Sequence, residues 1–519
     1  VHAYRSGAWT EDYLDETPQE GQVRVSVHRQ IALVPVDDEF FVRRADPAML
    51  ASYLRSLGPR RVVRKVVSRR REAARNDTWL SVGLGTLADG SPVVFVVTTG
   101  PGAVERAVVD ERLCAPAVGG PPPPGAPEHR EPQPGAAAWA DVSAQLQAVL
   151  EPLVGWRREA EPEVSVAPDS WALIDELLRR PPGRSFAVLP ARPSPSVVRE
   201  RLEATGPDDG DDGRPGFHLF GYGQYAKTQV IPNLSQRLRL ECVHEINPFQ
   251  LGPVADAGPV AWDTSGRPRD HEAIRNAAVA GYHHTHAPLA VELLDRGVRH
   301  VVVEKPIATT TGQLQDLLDA MARHPDARVH VAYQRRYLSF NPHLLGDLGG
   351  APISMSATVF EVPLPARHWY RWPVVGNAVV SNGCHWIDHF LHLNDGSEVT
   401  HLHAQRLASQ VVLAIELDNG ASASISLRHE GSPRRGVRDR CTYWHGDATA
   451  TIDDLRDYQA ERGYRKLRAR RAHPYRSLED MYAEFARRIA LDLPGDRIDV
   501  MRRSAATTLE LARLVDEQR

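Results

Sequence analysis

The segment Phe217-His218-Leu219-Phe220-Gly221-Tyr222-Gly223-Gln224-Tyr225-Ala226 reads as a strand that runs into a glycine turn, with a helix from Thr228. That order is the dinucleotide-binding arrangement: Gly221 permits the tight turn, Gly223 lets backbone approach a pyrophosphate, and Ala226 allows close helix–strand packing. Phosphate oxygens would rest on N–H groups at the helix N-terminus. Gln224 and Tyr225 complete the turn and join Gly221 and Gly223 as candidate cofactor-binding residues. The next apolar strand, Leu238–His244, ends in Glu245, 24 positions after Gly221, where a carboxylate can bind a ribose 2′-OH. It would repel a 2′-phosphate, so the expected cofactor is NAD rather than NADP.

Outward from this turn the pattern alternates. A helix is expected over Pro288–Arg296 and a strand over Val298–Val303, which argues for a parallel, doubly wound sheet. After about residue 350 the texture changes to alternating strands at Ile353–Phe360, Val411–Leu417, Ala421–Leu427 and Ala448–Ile452. They predict an antiparallel sheet, with closing helices at Leu478–Leu493 and Ser504–Glu517. Upstream, two linkers punctuate the chain: proline-rich Gly119–Gly135 and aspartate-rich Gly206–Gly216. Residues 1–118 read mainly as strands, including Ile31–Val36 and Val93–Thr98 after an Asp89-Gly90 turn. Between the linkers, helices are expected near 138–154, 169–180 and 196–204, with a strand at Phe186–Leu189. The fold class is therefore α/β: a mainly-β accessory region (1–118), linkers with a small α/β segment (119–216), a Rossmann domain (217–336) and an α+β domain with an open antiparallel sheet (337–519).

Composition narrows the function classes. The chain has 519 residues, is 42% apolar and 25% charged, and carries a net charge of −4. Those values fit a globular multidomain protein and give no reason to expect a nucleic-acid partner. No apolar run is long enough for a membrane span, and no leader pattern opens the sequence, so the expectation is a cytoplasmic protein acting on a small molecule. Four scattered cysteines suggest no disulfide framework and no cysteine-based metal site. Of 62 basic residues 58 are arginine, so each of the four lysines draws attention as a compact ammonium that can change protonation state. One of them, Lys305, follows Val301-Val302-Val303-Glu304 and precedes Pro306.

A strand running into Glu304-Lys305-Pro306, downstream of this glycine turn, resembles the Gfo/Idh/MocA oxidoreductases, named for glucose–fructose oxidoreductase and inositol dehydrogenase. Thr285-His286-Ala287, Arg335-Arg336-Tyr337 and Ser381-Asn382-Gly383-Cys384-His385-Trp386-Ile387-Asp388 resemble further family motifs in the same order. The resemblance covers about Phe217 to the C-terminus. It implies reversible hydride transfer between a nicotinamide and a carbinol or carbonyl carbon, commonly of a sugar, nucleotide-sugar or cyclitol. It also implies a homo-oligomer built through the C-terminal sheet. Lys305 matches the family's catalytic lysine and His385 its catalytic histidine. His286, Glu304 and Lys305 match cofactor-side positions, and Arg336, Ser381 and Asp388 substrate-side ones. Near a bound nicotinamide, a desolvated Lys305 is expected to have a lowered pKa. Ser381 stands where the family usually has aspartate, which leaves open an alternative: a catalytically retired, nucleotide- or metabolite-binding sensor or partner subunit. A metal reading of His385 and His389, or of His283, His284 and His286, lacks the glutamate of a zinc-hydrolase motif, and no metal is expected. Gly21–Val25 and the stretches near Val94 and Leu113 resemble a shortened GroES-like part of medium-chain alcohol dehydrogenases, without cysteines at its zinc positions.

Overall fold

The computed structural model describes residues 2–5, 8–11, 18, 21–36, 78–99, 103–111, 114–116, 187–188, 201–206, 213–246, 250–251, 260–270, 272–364, 369–431 and 436–518. The proline-rich linker and the helices expected at 138–154 and 169–180 lie outside them.

The first strands in chain order are β1 (His2–Arg5), β2 (Ala8–Glu11), β3 (Gln22–Val36), β4 (Thr78–Thr86), β5 (Pro92–Thr99), β6 (Ala103–Val104), β7 (Arg106–Asp110), β8 (Cys114–Pro116) and β9 (Ala187–Val188). They form a small sheet, β2-β1-β6, and a larger antiparallel one, β7-β3-β4-β5-β8, with β9 on β3. Val25, Val27, Val82 and Phe95 are buried there. The Asp89-Gly90 turn joins β4 to β5 because Gly90 takes φ +86° and the Asp89 carboxylate accepts the Ser91 N–H at 2.9 Å.

The second sheet comprises β10 (Glu203–Ala204), β11 (Gly216–Phe220), β12 (Arg239–His244), β13 (Ala261–Asp263), β14 (Asn276–Val279), β15 (His300–Val303) and β16 (Arg328–Val331), in the order β10-β13-β12-β11-β14-β15-β16. All its pairs are parallel except β10 with β13. Every residue of β14 and β15 is buried, as a parallel strand covered on both faces requires. The expected helix over 196–204 is corrected at its end: Glu203–Ala204 is extended and closes the edge of this sheet, its backbone paired with Asp263 and Trp262. Thr310 caps the helix Thr311–Arg323 by accepting the Gln313 N–H at 3.2 Å.

The third sheet comprises β17 (Ser354–Phe360), β18 (Val399–Arg406), β19 (Gln410–Leu417), β20 (Ser422–Arg428), β21 (Arg438–His445), β22 (Ala448–Asp453), β23 (Asp457–Arg462) and β24 (Arg465–Arg471), ordered β18-β19-β20-β17-β21-β22-β23-β24. Its strands alternate buried and open positions, so one face meets the core. The expectation of a wholly antiparallel sheet is corrected here: β17 pairs with β20 in parallel. Hydrophobic alternation reports which face is buried but not the direction of the neighbour. The helices Cys384–Leu393 and Ile498–Asp516 lie in one continuous core with this sheet and with β14 and β15. The intervening helix, Arg476–Ala490, returns to the dinucleotide sheet, where Met481, Tyr482 and Phe485 pack with Leu219 and Val302.

Candidate functional site

The glycine turn follows β11 directly. Gly221 has φ +94°, and a Cβ there would lie 2.6 Å from the Gly281 nitrogen, so no other residue fits without shifting backbone. Its N–H donates to the His244 carbonyl at 2.8 Å, tying the turn to the end of β12. Gly223 differs: a Cβ there would meet nothing within 4 Å, so its face is open to an approaching group. Buried Glu245 accepts the Tyr222 N–H at 2.7 Å and so sits against the turn. An open glycine backbone, a carboxylate at the second strand end and a helical segment over Ala226–Leu234 fit a dinucleotide.

At the end of β15, Glu304 and Lys305 turn in different directions. The Lys305 ammonium donates to the Ser381 carbonyl at 3.0 Å, across 76 residues of chain. The wide turn Val379–Gly383 presents that carbonyl, so Ser381 meets the lysine through its backbone rather than through a side-chain carboxylate. The expected lowering of the Lys305 pKa is corrected for the chain on its own. Burial does push it down, but Tyr370, Cys384, Glu304 and Glu361 together hold it above the ordinary lysine value. His385, next along, is held well below the ordinary histidine value by burial, then by Lys305 and Arg335. Its Nδ1 is buried without a hydrogen-bond partner. Neutral at pH 7, this imidazole keeps a lone pair for a proton.

Glu304 faces inward to two tyrosines. The Tyr482 hydroxyl donates to its carboxylate and also meets the Tyr225 hydroxyl at 3.3 Å. Burial raises the Glu304 pKa to about 7, against the lowering influence of Tyr482 and Lys305. The Tyr225 hydroxyl thus reaches the Tyr482–Glu304 pair, while part of the residue stays exposed. A carboxyl whose folded pKa exceeds its unfolded 4.5 contributes stability below pH 4.5 that is lost as pH rises to 7. The stability difference between the native chain and a Glu304→Gln variant should thus change by on the order of 3 kcal/mol between pH 4.5 and 7. Denaturant titrations of both proteins across that range read it, and a flat difference would refute it.

His286 is fully buried, with Nδ1 2.8 Å from the Pro306 carbonyl and Nε2 3.1 Å from the Gly281 carbonyl. It bridges the glycine loop after β14 to the turn after β15, and burial lowers its pKa to about 4.

Arg336 and Asp388, the two charged residues expected on the substrate side, are brought together as a pair. The guanidinium grips the carboxylate through Nη2 at 2.6 Å and Nε at 3.0 Å, and the Ser504 hydroxyl donates to the same carboxylate at 2.7 Å. Both charges are buried and spent on each other. Beside them Arg335 donates to Asp439 at 2.6 Å. His389, offered as a metal ligand with His385, accepts the Tyr443 O–H at Nδ1 (3.2 Å) and faces Asn341 Oδ1 through Nε2 (3.0 Å), so both its ring nitrogens are engaged.

Several neighbours were not singled out from sequence. Glu361 accepts the Asn382 side-chain amide at 2.8 Å, and burial raises its pKa. Tyr370 acts on Lys305 electrostatically, and its ring lies 4.6 Å from that of His283. Trp369 and Trp372 pack on Tyr282 at 5.2 and 4.9 Å. The run Trp369-Tyr370-Arg371-Trp372 was the available signal: aromatic residues concentrated without strand or helix periodicity.

No curated protein matches the sequence. Among solved structures, a variant of the 3-ketoreductase KijD10 from Actinomadura kijaniata, in complex with TDP-benzene and NADP, is 14% identical with a TM-score of 0.50, over 58% of this chain and 98% of that one. Aldose-aldose oxidoreductase from Caulobacter crescentus is 15% identical (TM-score 0.49; 59% and 98% covered). UDP-N-acetylglucosamine 3-dehydrogenase GnnA from Acidithiobacillus ferrooxidans is 17% identical (TM-score 0.49; 58% and 98% covered). At 14% identity, the likeness to the KijD10 variant is one of fold alone. Among the described residues, no helix is long and apolar enough to cross a membrane. Residues 217–333 match the family model of the Gfo/Idh/MocA oxidoreductases, and that part of the chain carries their NAD-binding Rossmann fold.

Proposed function

We propose that this chain is an NAD(H)-dependent oxidoreductase acting on a hydroxyl or carbonyl carbon of a polar small molecule such as a sugar, nucleotide-sugar or cyclitol. The observation that carries the reading is the meeting of Lys305 with the His385 segment beside the glycine turn, with the lysine donating to Ser381 at 3.0 Å. A bound nicotinamide would supply the hydride acceptor or donor. Gly221, Gly223 and Glu245 would hold the dinucleotide. The Lys305 ammonium, protonated among Tyr370, Glu304 and Glu361, would hold the substrate oxygen and favour negative charge on it. His385, kept neutral by burial, would take the hydroxyl proton on oxidation and return it on reduction. The aromatic side chains of Tyr282, Trp369 and Trp372 would exclude water from the approach.

The reading extends to the remaining parts. The antiparallel strands before residue 120 support a non-catalytic accessory region with a GroES-like resemblance, and the open sheet β17–β24 would join copies of the chain.

Fluorescence titration with NADH and NADPH tests the cofactor. NADH should bind more tightly than NADPH, and Glu245→Ala should weaken NADH by about 10-fold or more, the worth of a charged hydrogen bond. Absence of binding by either nucleotide would remove the main support. NADPH preference would transfer the proposal to the other cofactor.

A further inference from the structure

We propose that His218, Cys242, His244 and Glu272 form a structural zinc site behind the dinucleotide turn. This inference stands apart from the reaction proposed above. In a parallel strand covered on both faces, central positions are normally apolar. Here β11 and β12 run in parallel with His218 opposite Cys242 and Phe220 opposite His244. Cys242 and His244, two apart, project from the same face. That face carries metal-ligand side chains where packing alone would place valine or leucine.

The donor atoms converge. His218 Nδ1 lies 3.2 Å from His244 Nε2, and Glu272 Oε1 lies 3.4 Å from the first and 3.7 Å from the second. With the Cys242 sulfur, all four donors fall within 4.8 Å of one another, and His218, Cys242 and His244 are buried. Tetrahedral zinc with ordinary Zn–N and Zn–S bonds sets its ligands roughly 3.3–3.7 Å apart. Two neutral imidazoles, one thiolate and one carboxylate balance a divalent cation, and four protein ligands leave no open position.

The surroundings supply what a zinc histidine needs from its other nitrogen. His244 Nδ1, the ring nitrogen away from the cluster, lies 3.1 Å from Asp263 Oδ2, so a carboxylate stands where a zinc histidine commonly has one. Asp263 is balanced in turn by Arg201 and Arg269, so its charge is already spent. Glu272 comes from the crossover between β13 and β14, whose described residues form no helix. Ile274 anchors this segment in the core, and Glu272 Oε2 accepts the Arg269 N–H at 3.0 Å, which aims Oε1 at the two imidazoles. Because the His244 carbonyl accepts the Gly221 N–H at 2.8 Å, the site would also brace the glycine turn.

The test is metal analysis of the full chain purified without chelator, followed by cobalt exchange. One zinc per chain is expected. The cobalt form should show tetrahedral d–d absorption and a thiolate-to-cobalt charge-transfer band. Cys242→Ser should abolish that charge-transfer band, and Glu272→Gln, on the crossover, should weaken metal retention at least 10-fold against a competing chelator. Should the cysteine variant fail to fold, the cobalt spectrum of the native chain still identifies the thiolate ligand. A native chain that neither carries nor takes up stoichiometric zinc or cobalt would leave a hydrogen-bonded histidine cluster only and overturn the proposal. So would a cobalt spectrum without thiolate character.

Discussion

Replacing Lys305 by methionine is expected to lower turnover about 10²–10⁴-fold, the usual worth of a positioned acid–base group, while NADH affinity stays within a few-fold. Among the described residues the side chain makes one hydrogen bond, to the Ser381 carbonyl, and is otherwise influenced electrostatically by Tyr370, Cys384, Glu304 and Glu361. Methionine keeps the stem volume and removes only the charge, so packing survives. Burial already raises the Glu361 pKa, so this carboxylate takes up a proton more readily once the cation is gone, which limits the folding cost. The measurement pairs single-turnover kinetics with a nucleotide titration. Full activity in the variant would refute the role given to Lys305. An equal loss of nucleotide binding would make it a cofactor clamp.

The second large effect concerns Asp388. Its carboxylate is buried beneath two Arg336 nitrogens and the Ser504 hydroxyl, so Asp388→Ala leaves the guanidinium buried with Asp496, at 3.9 Å, as its nearest remaining anion. Breaking such a pair from one side costs about 3–5 kcal/mol. Urea titration should show that loss, and the paired replacement Arg336→Met with Asp388→Leu should recover most of it, since both charges leave together. A variant with unaltered stability and a raised KM would instead place Asp388 on the substrate, as expected from sequence.

How much of the site was legible depended on the range of each signal. The glycine turn, the carboxylate after the second strand and the Glu-Lys-Pro strand end are short motifs in which neighbours in sequence are neighbours in space. Gly221 is needed because the chain at Ala280–Gly281 crowds it, and the sequence records that constraint as a glycine. Strand burial was legible for the same reason, since side-chain alternation is local. The end of the helix expected at 196–204 is extended instead, because Glu203–Ala204 is held by backbone pairing to a strand about 60 residues on, which no local propensity encodes. That Arg336 and Asp388 pair with each other was not legible, because a charged residue read alone carries no sign of where its partner lies.

The sequence by itself determined the α/β class and the glycine turn after the first strand of the Rossmann sheet, and it singled out the lysine and histidine on which the proposed reaction rests. These rest on backbone geometry and residue chemistry that act within a few positions. Only the tertiary structure decided that Lys305 meets a carbonyl of Ser381, that Glu304 turns to Tyr482, that β17 and β20 run in parallel, and that two histidines, a cysteine and a glutamate share one buried space. Each of those depends on which distant side chains packing brings together, and electrostatic and coordination energies are set by that separation in space rather than along the chain.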